Sequence, residues 1–200
     1  MRRVCVYAGS NPGNHPEYAA AARALAGAMA ERGVGLVYGG GRVGLMGVLA
    51  DTMLEHGGEA IGVMPRALIE REIGHRGLTE LRVVESMHER KALMAELSDA
   101  FVAVPGGIGT LEELIEAYTW SQLGLHQKGC GVLNVRGYYD HLAAFLDHAV
   151  GQGFLRAQHR AVLSVASEPV ELLDRLAAYA PPTVMKWTER EGGAGPAPPP

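Results

Sequence analysis

Lysine and cysteine are scarce in this chain of 200 residues. Only three lysines occur, Lys91, Lys128 and Lys186, so an enzyme that needs a lysine Schiff base must find it among these three. The two cysteines, Cys5 and Cys130, each lie in a short apolar run. That placement fits neither a disulfide framework nor a zinc site and predicts buried free thiols.

The chain also lacks a basic surface and a long apolar run. Its formal net charge of -4 and its pI of about 6.1 disfavour a nucleic-acid partner, as does the lack of interleaved aromatic and basic residues. No stretch of about 18 apolar residues occurs, which excludes a transmembrane helix, and the apolar run after Arg3 is too short for a signal peptide. We therefore expect a cytoplasmic protein that binds neither a membrane nor a nucleic acid.

Short apolar runs alternate with longer amphipathic stretches. Strands are predicted at Val4–Ala8, Gly35–Tyr38, Ala60–Met64, Leu81–Glu85, Ala100–Val104, Gly131–Val135 and Val162–Val165. Helical spacing predicts helices at Pro16–Arg32, Leu45–His56, His88–Leu97, Leu111–Leu123, Tyr139–Gln152 and Val170–Ala178. Strands that are apolar on both faces and alternate with helices indicate an α/β fold, a Rossmann-like, doubly wound, mostly parallel sheet of about seven strands with helices on both faces.

The composition changes near Pro181. Residues 1–180 are expected to form a single domain. Residues 181–200 contain six of the eleven prolines and end in a Pro/Gly-rich run. Such a segment buries too little apolar surface to fold, so the sequence predicts a disordered C-terminal tail.

Three predicted strands end in glycine-rich turns, at residues 9–13, 39–47 and 105–110. Glycine lets the backbone approach a ligand closely, and a helix that follows such a turn presents free N–H groups to an anion. Three such turns in one sheet predict a crevice for a phosphate or a nucleotide. Ser10 and Gly41 are further candidate phosphate or ribose contacts.

The second turn matches the G-x-G-x-x-G pattern of dinucleotide-binding proteins at Gly39, Gly41 and Gly44. The acid that should hold the ribose, Glu59, precedes the strand Ala60–Met64 instead of following it, which argues against NAD or NADP. No Gly-Lys-Ser/Thr follows any of the turns, so a Walker-type nucleotide site is excluded.

The third turn leads into a Thr-x-x-Glu pattern, Thr110 to Glu113, which predicts a capping box at the start of a helix. The Glu113 carboxylate has a second interpretation, an anion held at the mouth of the crevice by the helix N-terminus. Arg90 and Lys91 open the preceding helix and point about 100° apart, so one of them can face the crevice, although both also suit a charged surface. The charged connection 65–79 is either a ligand-binding loop or a solvated excursion.

Two motifs resemble one known family. Residues 105–113, Pro-Gly-Gly-Ile-Gly-Thr-Leu-Glu-Glu, match the PGGxGTxxE motif of the LOG ("Lonely Guy") family, and residues 87–91, Met-His-Glu-Arg-Lys, match its second signature. Residues 119–140 are also similar to these proteins, and the resemblance covers residues 1–180. Members are cytokinin riboside 5'-monophosphate phosphoribohydrolases, many of which were labelled lysine decarboxylases.

The resemblance implies an enzyme that hydrolyses the N-glycosidic bond of an N6-modified adenosine 5'-monophosphate, or of AMP itself. The products are the free adenine-type base and ribose 5-phosphate, and neither a cofactor nor a metal is required. Such a bond breaks through a ribosyl cation of oxocarbenium type, which a carboxylate can stabilise. The resemblance does not identify the preferred N6 substituent.

The resemblance also implies site residues. Arg90 and Glu113 correspond to the catalytic residues of the family. Substrate contacts are implied for Glu72, Arg90, Lys91, Gly106, Gly107, Ile108, Gly109, Thr110, Leu111, Glu112 and Thr119. Glu72 has the weakest match, because its surroundings lack a strict motif. The family suggests a homodimer, for which residues 111–128 are the expected interface. Apolar residues there, including Tyr118, also suit ordinary core packing.

A nucleotide carrier or sensor without catalysis is the alternative function, since the same turns would serve it. The presence of both Arg90 and Glu113 favours the enzyme, because a protein that only binds a phosphate ester needs no carboxylate beside the ester. The decarboxylase label is disfavoured, because none of the three lysines sits where a pyridoxal phosphate lysine would be expected.

Overall fold

The structure is a computed structural model that describes residues 1–69 and 74–181. Its strands are β1 (Arg3–Tyr7), β2 (Gly35–Tyr38), β3 (Ala60–Pro65), β4 (Glu80–Val84), β5 (Ala100–Ala103), β6 (Cys130–Leu133) and β7 (Leu163–Ala166). Its helices are α1 (Pro16–Glu31), α2 (Gly44–Glu55), α3 (Arg66–Ile69), α4 (Met87–Leu97), α5 (Ile108–Gln122), α6 (Asp140–Gly151), α7 (Ala157–Arg160) and α8 (Pro169–Ala177), with a 3-10 turn at Val135–Gly137.

The seven strands form one parallel sheet in the order β4-β3-β2-β1-β5-β6-β7. The chain moves outward from β1 to β4 and then returns to the other side of β1 with β5. The carboxyl ends of β1 and β5 therefore flank the point where the strand order reverses, which is where a doubly wound fold opens a ligand crevice. The predicted fold class is confirmed.

Helices cover both faces of the sheet. Alternate residues of β1 point to opposite sides, so Val4 and Val6 pack with α1, α2 and α8, while Cys5 and Tyr7 pack with α4 and α5. Cys5 and Cys130 are free and fully buried, as the sequence predicts. The second face is the one that carries the charged motifs of α4 and α5.

Each predicted strand is present, and its ends lie within two residues of their predicted positions. The edge strand β4 is nevertheless mostly exposed, so the expectation that every strand is apolar on both faces is wrong there. The short helices α3 and α7 were not predicted. Tyr118 is 5% exposed and its hydroxyl donates to the His159 carbonyl, so this residue belongs to the core and not to an exposed interface.

The start of α4 is fixed by a side chain that the sequence analysis missed. Ser86 is the N-cap, and its hydroxyl accepts a hydrogen bond from the Glu89 N–H at 3.1 Å. The Glu89 carboxylate in turn accepts from the Glu85 N–H at 2.9 Å. The Ser-x-x-Glu pattern at 86–89 was the signal that could have found this cap. The cap sets the helical position of every residue that follows, Arg90 included.

Ser86→Ala removes the oxygen that satisfies a free N–H of α4. We expect it to lower the free energy of unfolding by about 1 kcal/mol, measured by urea titration. Ser86→Asp, which restores an acceptor at the same position, is the matched control and should recover most of the loss. An unchanged denaturation midpoint for Ser86→Ala would contradict the role of this cap.

Candidate active site

Arg90 lies almost buried at the carboxyl edge of the sheet. Its Nε donates to the carbonyl of Val63, at the end of β3, over 3.1 Å. Its Nη1 lies 3.2 Å from the Glu113 Oε1, and the two side chains are only 9% and 12% exposed. Of the two adjacent cations predicted at the start of α4, Arg90 is therefore the one that turns toward the crevice.

Glu113 does not cap α5, so the predicted capping box is wrong. The helix begins at Ile108, three residues earlier than expected, and its N-cap is Gly107, whose position offers no side-chain oxygen. Thr110 consequently lies inside the first turn and is buried. The Glu113 carboxylate pairs with Arg90.

Lys91 points to a different place from Arg90. Its Nζ lies 2.6 Å from Glu112 Oε1 and 2.9 Å from Glu116 Oε2, both on α5. Burial by itself lowers the pKa of the Lys91 ammonium, but the hydrogen bonds to these two carboxylates outweigh it and hold that pKa above its usual value. Lys91 and Glu112, which were both predicted as substrate contacts, thus form an ion pair with each other.

The loop between β5 and α5 leaves room for a ligand. A Cβ added at Gly107 or Gly109 would meet nothing within 4 Å, whereas one at Gly106 would lie 2.1 Å from the Thr110 hydroxyl oxygen. The first backbone bond of the helix runs from the Leu111 N–H to the Gly107 carbonyl. The amides of the first turn, ahead of that bond, form the positive end of a long helix.

Tyr138 supports this loop and was not singled out as a site residue. Its hydroxyl donates to the Gly106 carbonyl, and its ring contacts the ring of Tyr18 edge-on with centroids 5.9 Å apart. The neighbouring Tyr139 hydroxyl donates to the Val104 carbonyl at 2.8 Å. The similarity of residues 119–140 to the LOG family was the signal that could have found these tyrosines.

A pocket of about 280 Å³ opens beside the loop, at the reversal point between β1 and β5. It is lined by residues 9–13, by Tyr18, Leu45 and Tyr138, and by the start of the third glycine turn. Ser10, a predicted phosphate or ribose contact, belongs to this lining, and the Gly9 N–H donates to the Pro105 carbonyl across the crevice. The volume is close to the lower end of the range of small-molecule sites.

The second glycine turn serves the protein's own packing. A Cβ at Gly39 would lie 2.1 Å from the Arg90 Nη2, so the guanidinium rests against bare backbone. Gly44 has φ +58, and a Cβ there would lie 2.3 Å from the Ser10 backbone carbon. Gly41 pairs with Gly74 in an isolated antiparallel bridge. The fingerprint glycines 39 and 44 thus make room for Arg90 and for the first loop.

The remaining predicted contacts lie on α5 or outside the described residues. Ile108 is 82% exposed, Leu111 is half-buried, and Glu112 is exposed. Thr119 is half-buried and lies about 13 Å further along the helix than Thr110, two turns after Glu112 and therefore on the same stripe as Glu112. The structure does not bring it to the Arg90–Glu113 pair of the same chain. Glu72 falls in residues 70–73, outside the described residues.

Two more titratable side chains lie under the ion pair, from β1. Burial raises the pKa of the Tyr7 phenol well above its usual value and also raises the pKa of the Cys5 thiol, and Glu113 adds to both shifts. Both groups are therefore neutral near pH 7. Among residues 1–69 and 74–181 no cluster of three or more His, Cys, Asp or Glu side chains could hold a metal ion. No described helix is long and apolar enough to span a bilayer.

Comparisons with known proteins identify the family. A family model described as possible lysine decarboxylase matches residues 46–176. The chain is 49% identical over 192 residues to the probable cytokinin riboside 5'-monophosphate phosphoribohydrolase LOGL5 of Oryza sativa subsp. japonica, which covers 94% of this chain and 78% of the relative. It is 46% identical over 181 residues to the enzyme LOG7 of Arabidopsis thaliana, covering 90% and 83%.

Solved structures share the fold at lower identity. The molybdenum cofactor carrier protein of Chlamydomonas reinhardtii superposes with a TM-score of 0.67 at 20% identity, covering 90% of this chain and 99% of that one. The molybdenum cofactor binding protein of Rippkaea orientalis gives 0.65 at 21% identity, covering 89% and 99%. At these identities the likeness concerns the sheet and its helices alone.

The curated relatives, unlike the solved structures, match this chain at nearly half of the aligned positions over most of its length. The chain therefore belongs to the LOG family of cytokinin riboside 5'-monophosphate phosphoribohydrolases.

Proposed function

We propose that the protein hydrolyses the N-glycosidic bond of an N6-substituted adenosine 5'-monophosphate, with AMP itself as a further candidate substrate. Water supplies the hydroxyl that replaces the base on the ribose and the proton that the base takes. The observation that carries this proposal is the buried ion pair of Arg90 and Glu113 beside the open start of α5. The names of the relatives support the same reaction.

The 5'-phosphate is assigned to the start of α5. Gly107 and Gly109 leave the first-turn amides accessible, and the positive end of a 15-residue helix favours an anion there. The pocket between β1 and β5 adjoins the same loop and contributes Ser10. Holding the phosphate away from the bond that breaks would let binding energy position the ribose against Glu113.

Glu113 is assigned to the ribosyl cation that develops as the base leaves. A carboxylate with little exposure pays a large desolvation penalty unless a cation is paired with it, and Arg90 is that cation. The pair keeps Glu113 ionised and holds it in one orientation. A fixed negative charge next to the developing positive charge stabilises the transition state more than the ground state. Arg90 would also contact the leaving base or the anionic side of the nucleotide.

The full set of proposed substrate contacts follows the motifs of the family. They are Glu72, Gly106, Gly107, Ile108, Gly109, Thr110, Leu111 and Thr119, with Ser10 and Gly41 as additions. Lys91 and Glu112 belong to the same motifs but bond each other instead. The proposal also includes a single domain over residues 1–180 and a cytoplasmic location. The tail predicted for residues 181–200 lies, apart from Pro181, outside the described residues.

A homodimer through residues 111–128 is part of the proposal. Ile108 and Ile115 are exposed on one stripe of α5, and Leu125, just after the helix, is 69% exposed. Trp120, Leu125 and His126 also line an open groove of about 330 Å³ against α4. An exposed apolar surface of this kind is typical of an interface between copies.

Glu113→Gln and Arg90→Ala should each lower the rate of base release from N6-isopentenyl-AMP by about 100-fold or more, because each removes one half of the charged pair. Release of the base is followed by chromatography, with ribose 5-phosphate as the second product. Glu31→Gln, an exposed carboxylate at the other end of the molecule, is the matched control. Turnover near that of the wild type in both variants would overturn the assignment. Substrate binding with no release by the wild type would favour the carrier.

Gly39→Ala should lower base release by about 100-fold with the fold retained, because its methyl group would displace the Arg90 guanidinium. Gly27→Ala on α1 is the matched control, since its Cβ would make only an ordinary van der Waals contact of 3.8 Å with the His56 Nε2 and a helical alanine stabilises the protein slightly. Equal activity of the two variants would show that the position of Arg90 does not matter.

Ile115→Arg should convert the expected dimer to a monomer, because it places a charge in the middle of the proposed apolar interface. Light scattering at micromolar concentration measures the mass. Arg23→Glu on α1, on the opposite face of the sheet, is the control and should leave the mass unchanged. A wild-type protein that is monomeric under these conditions would refute the interface.

A further inference from the structure

Five charged side chains of α4 and α5 form two separate clusters of ion pairs. Arg90 bonds Glu113 at 3.2 Å, while Lys91, its neighbour in sequence, bonds both Glu112 and Glu116. The three carboxylates lie within five residues of α5. Without a second cation, Glu112 and Glu116 would flank Glu113 with uncompensated negative charge on the same helix.

The Lys91 side chain is only 10% exposed, which is unusual for a lysine. A buried ammonium is destabilising unless its hydrogen bonds and charge are matched. Lys91 meets that condition, because its ammonium bonds two carboxylates from successive turns of α5. Its side chain therefore links α4 to α5 beside the place where Arg90 bonds Glu113.

We propose that Lys91 is a positioning residue for the hydrolysis, which neutralises Glu112 and Glu116 so that Arg90 remains with Glu113 and Glu113 remains ionised. This inference rests on the proposed function. Lys91 acts on the reaction through the carboxylates of α5. Because its ammonium already bonds these carboxylates, the 5'-phosphate is assigned to the start of α5 and not to Lys91.

Several charged and titratable groups lie near Glu113. Arg90 of α4 pairs with it, Tyr7 and Cys5 of β1 interact with its charge, and Lys91, Glu112 and Glu116 form the neighbouring cluster on the same two helices. Tyr7 and Cys5 are neutral near pH 7 and add no charge there, whereas Lys91, Glu112 and Glu116 are charged. Removing the Lys91 charge makes this environment more negative, and a more negative environment favours the protonated form of Glu113.

The test is the pH profile of kcat for base release from N6-isopentenyl-AMP. In Lys91→Met, the acid limb should move to higher pH by about one unit, and kcat should fall at neutral pH while KM changes little. Glu116→Gln removes a negative charge and keeps the bond between Lys91 and Glu112, so its acid limb should move to lower pH. Lys91→Arg, which preserves the charge, should restore the wild-type limb.

The possible results distinguish a failure of the positioning role from a failure of the proposed function on which it rests. An acid limb that stays in place in both Lys91→Met and Glu116→Gln, or a rise in KM with an unmoved limb, would overturn the positioning role. If Lys91→Met does not fold, the opposite shift in Glu116→Gln still decides the matter. Absence of base release by the wild-type protein would instead overturn the proposed function, and the inference with it.

Discussion

The rest of the site depends on the burial of one ion pair, Arg90 with Glu113. Charges so far from water are tolerated only where each has a partner and each remaining donor is satisfied. Several separate features meet that demand. The Val63 carbonyl accepts from the guanidinium, the missing side chain at Gly39 makes space for it, and Ser86 fixes the start of the helix that carries it. Removal of any one leaves a charged group without its support.

The sheet provides the place where this pair can act. Because β1 lies in the middle and the strand order reverses between β1 and β5, the loops after these strands meet although about a hundred residues separate them. The Gly9 N–H bonds the Pro105 carbonyl, and Tyr138 holds the Gly106 carbonyl from a third loop. The molybdenum cofactor carrier protein shares the fold at only 20% identity, and a shared fold does not decide the chemistry, which depends on the side chains at the edge of the sheet.

The family model is described as a possible lysine decarboxylase, and the two lysines that the structure describes have structural contacts instead. Lys91 joins α4 to α5 through two carboxylates, and the Lys128 ammonium, from the segment after α5, donates to the Ala95 carbonyl of α4 at 2.6 Å. Lys186 lies outside the described residues. These contacts agree with the hydrolase names of the curated relatives.

The sequence by itself determined the order of strands and helices, because apolar runs and helical periodicity are local properties. Its motifs also identified Arg90 and Glu113. Only the tertiary structure decided what those residues touch. The Thr-x-x-Glu pattern at 110–113 predicted an N-cap at Thr110, but α5 begins at Ile108 with Gly107 as its N-cap, whereas a side-chain cap formed at Ser86 on α4. The sequence could not separate the roles of Arg90 and Lys91, since their directions depend on how α4 packs against α5. Packing between distant segments chose the partner of each charge, and no local pattern encodes that choice.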